Sequence, residues 1–381
     1  MKPLFKVIYT PIIEQEDKIQ IGLEDGSLEI EDADGTIRKI LHSLDGTKSI
    51  TDIAAEHQVS EQEVMDMIEE LDEHKLIEDA DGTRIATLSD HDQERYRANI
   101  NYYSNFADLQ TNKYVFQERL KDSTVLVLGL GGSSMLTASL AGLGVGKIIG
   151  LDYDTVELSN LNRQFLYSED EIGTLKTVAA GERLKKINKD IEIEVHNLKV
   201  VNASCIDELV KQADIIVNGI DQPTILSTRW VNFACVKNRK PFLQGGLGNK
   251  TILWQKFISD EGGCYDCSLI DSLRKSSEFE HQLKSVYGVS FEKRNTAYPP
   301  NVAILTGLLT NEIAKHLGGF ADRTPHSSTY ELDTITYQMT SITNWEKHDD
   351  CPTCGSRTPE AGEPVDLETL LTISKKEREV V

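Results

Sequence analysis

An apolar strand pattern that ends in a glycine turn constrains this chain more than any other feature. Val125 to Leu128 is an unbroken apolar run, as a parallel strand covered on both faces requires, and Gly129, Gly131 and Gly132 follow at once. Such glycines let the backbone turn tightly and approach a phosphate closely. The stretch Met135 to Leu143 then supplies a helix whose free N–H groups and dipole favour an anion at its start. A second apolar stretch opens at Lys147 and ends on Asp152, about twenty residues beyond the first glycine, the usual place for a ribose partner. The spacing predicts a mononucleotide-binding βαβ unit inside an α/β domain of Rossmann-like architecture.

The turn alone would serve a dehydrogenase equally well, although Ser134 stands where a third glycine is expected. Residues downstream separate the chemistries. Asp152 and Asp154 lead into Glu157, Asn160, Arg163 and Gln164, and Lys176 follows Gly173 by three positions. Hydride transfer has no need of an arginine and a lysine on the phosphate pocket. Nucleotidyl transfer does, because charge builds on the α-phosphate and on the departing pyrophosphate. Read singly, Asp152 and Asp221 are also ordinary turn caps, and Asn160 reads either as a helix cap or as a phosphate contact.

Six cysteines occur in 381 residues, and the first residues carry no secretory apolar segment, so the chain reads as cytoplasmic and disulfides are not expected. Cys264 and Cys267 form one knuckle-spaced pair and Cys351 and Cys354 another, each able to supply half of a tetrahedral zinc site. A redox motif needs only one such pair. Zinc here is expected to be structural, fastening the end of the chain back onto the core. Cys205 and Cys235 fall in apolar-patterned segments and read as inert thiols.

The stretch from Val125 to Lys176 resembles the adenylating domain shared by ThiF, MoeB, HesA and the ubiquitin-activating enzymes. It carries their Gly-x-Gly-Gly turn, Asp-x-Asp strand end, Ser-Asn-Leu-x-Arg-Gln run and Gly-x-x-Lys. The segment Asp214 to Asp221 matches a later strand of that family, and both cysteine pairs fall where the family binds zinc. The resemblance implies that Gly129, Gly131 and Gly132 cradle a triphosphate and that Asp152 takes the ribose hydroxyls, with Asp154 and Gln164 in the same pocket. It further implies that Asn160, Arg163 and Lys176 neutralise phosphate charge, and that Asp221 holds Mg2+. Arg163, Lys176 and Asp221 are the expected catalytic residues. Relatives that form thioesters use a cysteine in a crossover region, and this chain has none between Cys267 and Cys351. That stretch, Ser268 to Pro300, includes Arg274, Lys275, Lys284, Lys293 and Arg294 and reads either as a mobile loop over the site or as an ordinary solvated connection.

Ahead of this domain, Leu4 to Ile13, Lys18 to Leu23 and Ser27 to Ile30 read as short strands. Helical patterns follow at Thr36 to His42 and Ser49 to His57. A third opens with the capping box Ser60 to Glu63 and runs on through Val64, Met67, Ile68 and Leu71. A small sheet followed by three helices is a winged-helix plan. Its last helix is densely acidic, which excludes phosphate backbones and therefore nucleic acid. The run Leu44 to Ala54 resembles the PqqD-like peptide-recognition domain, which implies that a leader peptide adds a strand to the sheet edge.

The two parts together resemble the MccB-type enzymes of microcin C-like peptide antibiotics. That resemblance implies a nucleotidyltransferase using ATP or CTP with Mg2+, acting on the C-terminal residue of a ribosomally made precursor peptide and releasing pyrophosphate. It also implies a homodimer in which an arginine reaches across to the phosphates. Its expected position is Ala98 here, which leaves Arg95 and Arg97 as candidates. Two other classes stay open: adenylation of a Gly-Gly-ended sulfur-carrier protein, as in MoeB and ThiF, and a leader-binding scaffold without catalysis. The expected division is a PqqD-like winged-helix domain at 1–80, a linker at 81–94, the zinc-bearing nucleotidyltransferase domain at 95–358 and a tail at 359–381, helical or disordered. A formal charge of −22 suits a neutral or basic peptide partner, and no apolar run is long enough to cross a bilayer.

Overall fold

The computed structural model describes residues 1–6, 12–22, 28–82, 88–258, 260–291, 296–321, 325–356 and 362–375. Parts of several expected segments lie outside them: residues 7–11 and 23–27 of the N-terminal strands, 83–87 of the linker, and Lys293 and Arg294. The chain forms two compact units, Met1–Leu120 with Gly318–Asp322, and Lys121–Leu317 with Arg323–Val381.

The first unit opens with β1 (Pro3–Phe5), β2 (Ile12–Glu14), β3 (Lys18–Ile21) and β4 (Leu28–Glu31), then α1 (Thr36–Ser43), α2 (Ile50–His57), α3 (Glu61–Glu73) and β5 (Ile77–Asp79). Strands β2, β3 and β4 form one antiparallel sheet, and β1 pairs antiparallel with β5. The serines expected as caps act as caps. Ser49 and Ser60 each form a reciprocal capping box, with Asp52 and with Glu63. Val64, Ile68 and Leu71 share the buried face of α3 at helical spacing and join Ile53 of α2 and Ile19 and Ile21 of the sheet in one core. Next come α4 (Asp90–Arg95), α5 (Arg97–Tyr103) and α6 (Lys113–Lys121). Tyr103, Phe106 and Phe116 pack around Phe320, which draws the segment after Gly318 into this unit.

Lys6 shows how the strands are tied to these helices. Its ammonium lies only 9% exposed and donates to the carbonyls of Lys75, Ser104 and Ala107 at 2.8, 2.8 and 2.6 Å. Three donors thus meet three acceptors. Lys6→Met removes all three bonds and leaves the carbonyls without a donor, so it should cost about 3–5 kcal/mol of unfolding free energy in a denaturant titration.

The second unit is a single eight-stranded mixed sheet. In chain order it contains β6 (Thr124–Leu128), α7 (Ser134–Leu143), β7 (Lys147–Asp152), α8 (Lys176–Ile187), β8 (Glu192–Asn197), α9 (Asp207–Gln212), β9 (Ile215–Asn218), α10 (Leu226–Lys237) and β10 (Phe242–Leu247). There follow β11 (Thr251–Phe257), α11 (Tyr265–Lys275), α12 (Ser277–Val286), α13 (Pro299–Gly318), β12 (Ser328–Asp333), β13 (Met339–Asn344) and α14 (Leu367–Lys375). The spatial order is β13-β12-β11-β10-β9-β6-β7-β8, parallel from β8 through β10 and antiparallel beyond. Val125 to Leu128 are fully buried, as their unbroken apolar run requires. The chain leaves β6 first towards β7 and β8 and later returns to β9 on the other side, so the topological switch point lies between β6 and β9.

One row of polar side chains crosses four strands of this sheet. The amide nitrogen of Asn218 donates to Gln244 Oε1 at 2.9 Å, Gln244 to Gln255 Oε1 at 2.6 Å, and Gln255 to Thr329 Oγ1 at 2.8 Å.

The stretch Ser268 to Pro300, read above as a loop or connection, is largely helical. It continues α11, forms α12 and starts α13, with Leu269, Ile270, Leu273 and Leu283 buried. After residue 359 the chain carries α14, whose Leu370 and Leu371 join the core beside the cysteines.

Candidate functional site

The crevice at the switch point is shaped by what is missing from it. Gly129 has φ 89°, and a Cβ there would lie 2.9 Å from the Gly219 carbonyl oxygen; a Cβ on Gly219 would come within 2.6 Å of Ser133 Oγ. The turns after β6 and β9 therefore touch backbone to backbone at the strand ends. Helix α7 begins at the first of these turns, and its N-cap, Ser133, makes no side-chain capping bond, so the first-turn N–H groups face the crevice without a side-chain acceptor from the cap.

Asp152, at the end of β7, is 7% exposed. One carboxylate oxygen accepts from Leu130 N at 2.8 Å and the other from Asp154 N at 2.8 Å. Each oxygen keeps a second lone pair for a hydroxyl donor, as a ribose requires. Lys176 opens α8, lies 6% exposed, and holds Nζ 3.2 Å from Asp154 Oδ2. A Cβ on Gly131 would lie 3.2 Å from Gln164 Nε2 and 3.4 Å from Lys176 Nζ, so the glycine turn, the amide and the ammonium converge. Gln164 Oε1 and Ser134 Oγ are buried without a hydrogen-bond partner among the described residues.

Arg163 is half-buried. It donates to the Ser159 carbonyl at 2.8 Å and to Asn162 Oδ1 at 2.9 Å, and pairs with no carboxylate among the described residues. Desolvation holds its pKa below the usual arginine range. A cation in that position lacks an anion. Asn160, third residue of the short helical turn Leu158–Asn160, accepts from the backbone N–H of its N-cap, Glu157, at 3.2 Å, closing a reciprocal capping box. Asp221 lies exposed, three residues past β9. Arg95 ends α4 and Arg97 starts α5 in the first unit, where Arg97 is exposed and pairs with Glu94 at 3.3 Å.

Two residues here escaped the sequence reading. Tyr167 donates its hydroxyl to the Leu130 carbonyl at 3.0 Å, bracing the glycine turn; burial, then the charge of Asp152, pushes its pKa up. Tyr153 is half-exposed under Lys199 Nζ, 5.0 Å from the ring centre. Its pKa rises from burial and then from the charges of Asp154, Asp152 and Asp221. Asp152 and Asp154 supply hard oxygen atoms on this rim, the donor type that suits Mg2+, and Asp221 is an exposed carboxylate past β9.

The four knuckle cysteines come together as expected. Their sulfurs lie within 4.8 Å of one another, with Cys264 to Cys351 at 3.7 Å and Cys267 to Cys354 at 3.4 Å. A tetrahedron with bonds of about 2.3 Å has edges of about 3.8 Å, so the set fits zinc. All four are buried, and Asn232 Nδ2 and His348 N each donate to a sulfur at 3.5 Å, which orients the thiolates. Cys235 is buried, and desolvation raises its thiol pKa; Cys205 donates its thiol to the Asn202 carbonyl at 3.0 Å.

Residues 99–353 match the ThiF family. The adenylyltransferase and sulfurtransferase MOCS3 of Anopheles gambiae is 37% identical over 157 residues, 40% of this chain and 34% of its own length. The chain thus spans about a third of that relative. The ubiquitin-like modifier-activating enzyme 5 of Drosophila mojavensis is 28% identical over 290 residues, 72% of this chain and 70% of its own. Among solved structures, E. coli MccB with ATP matches with a TM-score of 0.73 at 22% identity, over 93% of this chain and 100% of that one. The microcin C7 biosynthetic enzyme MccB in complex with N-formylated MccA matches with the same figures. The structural likeness speaks for the fold of nearly the whole chain, and the match over residues 99–353 for its descent: the protein is a member of the ThiF family.

Proposed function

We propose that the chain is an ATP-dependent nucleotidyltransferase that activates or nucleotidylates the C-terminal residue of a ribosomally made precursor peptide, as in microcin C-like antibiotic biosynthesis. The observation that carries this reading is Arg163. It is a half-buried cation with no carboxylate partner among the described residues, and it belongs to the segment that brings Gln164 against Gly131 and Lys176.

In this reading the glycine turn and the start of α7 receive the triphosphate, and Asp152 receives the ribose hydroxyls. The peptide's terminal carboxylate or amide attacks the α-phosphorus, the bond to the β-phosphate breaks, and pyrophosphate leaves. Lys176 and Arg163 compensate the charge that moves onto the leaving oxygens. Asp221 would hold Mg2+, whose charge would offset that of the phosphates. Zinc on Cys264, Cys267, Cys351 and Cys354 would be structural. The first unit would bind the leader as an added strand at a sheet edge, as PqqD-like domains do. The protein would work in the cytoplasm as a homodimer, with Arg95 or Arg97 candidates for a contribution across it.

MccB has been crystallised with ATP and with MccA, which favours a nucleotide and a short peptide as joint ligands. A second reading, adenylation of a Gly-Gly-ended carrier protein, is favoured by the names of the sequence relatives. A leader-binding scaffold without catalysis is disfavoured by the intact set Arg163, Lys176 and Asp221. The deciding experiment incubates the purified protein with ATP or CTP and candidate precursor peptides, following pyrophosphate release and peptide mass. A nucleotide adduct on the peptide supports the proposal. ATP–pyrophosphate exchange that needs a carrier protein and ignores short peptides supports the second reading, and failure to bind any nucleotide supports the scaffold. Asp221→Asn should raise the Mg2+ concentration for half-maximal pyrophosphate release at least about tenfold, since one charged ligand is lost.

A further inference from the structure

The loop that carries Asp221 is strained and held from behind. Ile225, four residues on, has φ 66°, an outlier for a β-branched residue that persists only where the surroundings over-determine it. Those surroundings can be traced. Thr224 exchanges two backbone bonds with the segment after α12, its N–H to the Val289 carbonyl at 3.0 Å and its carbonyl from Gly288 N at 3.1 Å; Gln222 Oε1 accepts from Phe291 N at 3.2 Å. The residue just before, Tyr287, accepts from Arg229 Nη1 at 2.7 Å.

Arg229 lies one turn into α10, directly after the strained residue, and is fully buried. Besides Tyr287 it donates to the Val365 carbonyl at 2.7 Å and grips Asp266 bidentately at 2.8 and 3.0 Å. Asp266 sits inside the first cysteine knuckle, and its carboxylate also accepts from Thr353 Oγ1, inside the second knuckle, at 2.6 Å. One guanidinium therefore joins both knuckles, the C-terminal strap and the segment that braces the loop.

We propose that Arg229 is a positioning residue for Asp221: through Tyr287 it transmits the rigidity of the cysteine cluster to residues 221–225. The inference rests on the assignment of Asp221 to Mg2+ above, and its mechanical part is testable without it. Two conservative variants remove single links. Tyr287→Phe deletes the acceptor on the loop side, and Thr353→Val deletes a donor on the cluster side, within a knuckle and outside the loop.

With zinc content measured as a control, hydrogen exchange in the peptide covering 220–226 should quicken about fivefold in each variant, and by less than the product in the double variant. In the same proteins the Mg2+ half-saturation of ATP–pyrophosphate exchange should rise by a similar factor while KM for ATP stays within about twofold. Unchanged exchange in 220–226 in either zinc-loaded variant overturns the relay. Faster exchange with an unmoved Mg2+ half-saturation overturns the positioning role. A wild-type protein that, with candidate precursor peptides present, gives neither ATP–pyrophosphate exchange nor a peptide adduct overturns the proposed function, while the hydrogen-exchange result still decides the relay.

Discussion

Lys176→Ala should lower the rate of pyrophosphate release by about 10²–10³-fold, the loss typical when one preorganised charge donor is removed from a phosphoryl-transfer site. The expectation is sharp because the substitution disturbs little else. Lys176 is buried, but its partner Asp154 is half-exposed, so the orphaned carboxylate is solvated rather than stranded. Thermal stability should therefore change by no more than a few degrees, and affinity for the proposed precursor peptide should stay within about twofold. Wild-type turnover in Lys176→Ala, measured by release of labelled pyrophosphate, would remove the lysine from the mechanism.

Stripping zinc should produce the largest loss of stability. One equivalent per chain is expected by elemental analysis, and its removal with a strong chelator should lower the Tm by about 10 °C or more, since structural zinc contributes several kcal/mol of folding free energy. The loss would not be confined to the knuckles. Cys264, Cys267, Cys351 and Cys354 belong to the same core as Leu370, Leu371 and Trp345, so α14 and the strap before it should become protease-sensitive together. Cys267→Ser should reproduce the effect. A chelated protein with an unchanged melting curve and an intact C-terminus would show that the four thiols need no metal to pack.

What the sequence revealed, and what it hid, follows from the range of the interactions. The β6 strand, its glycine turn, the serine capping boxes of α2 and α3 and the cysteine knuckles are local patterns, each written within about ten residues. Residues 268–300 misled because composition drew attention to Lys, Glu and Ser, while Leu269, Ile270, Leu273, Phe279 and Leu283 carried a helical period within the same stretch. The outer strands β11 to β13 gave less warning, since their partners are set by register across the sheet. Tyr167 was invisible for a related reason: its hydroxyl acts on a carbonyl 37 residues away. At the site, Gln164 and Lys176 lie against Gly131, and Asp154 pairs with Lys176. The sequence left open whether Asn160 caps a turn or reaches a phosphate; in the fold its Oδ1 closes the turn onto Glu157 N.

The row Asn218, Gln244, Gln255 and Thr329 carries one more implication. Because side chains alternate faces along a strand, sliding β10 or β11 by a single residue would carry an amide to the opposite face and break two of the three bonds. The row thus acts as a ratchet stop between neighbouring strands. Whatever force the substrate end or the outer hairpin exerts on this side of the sheet, the ends of β9 and β10 beside the crevice keep their alignment.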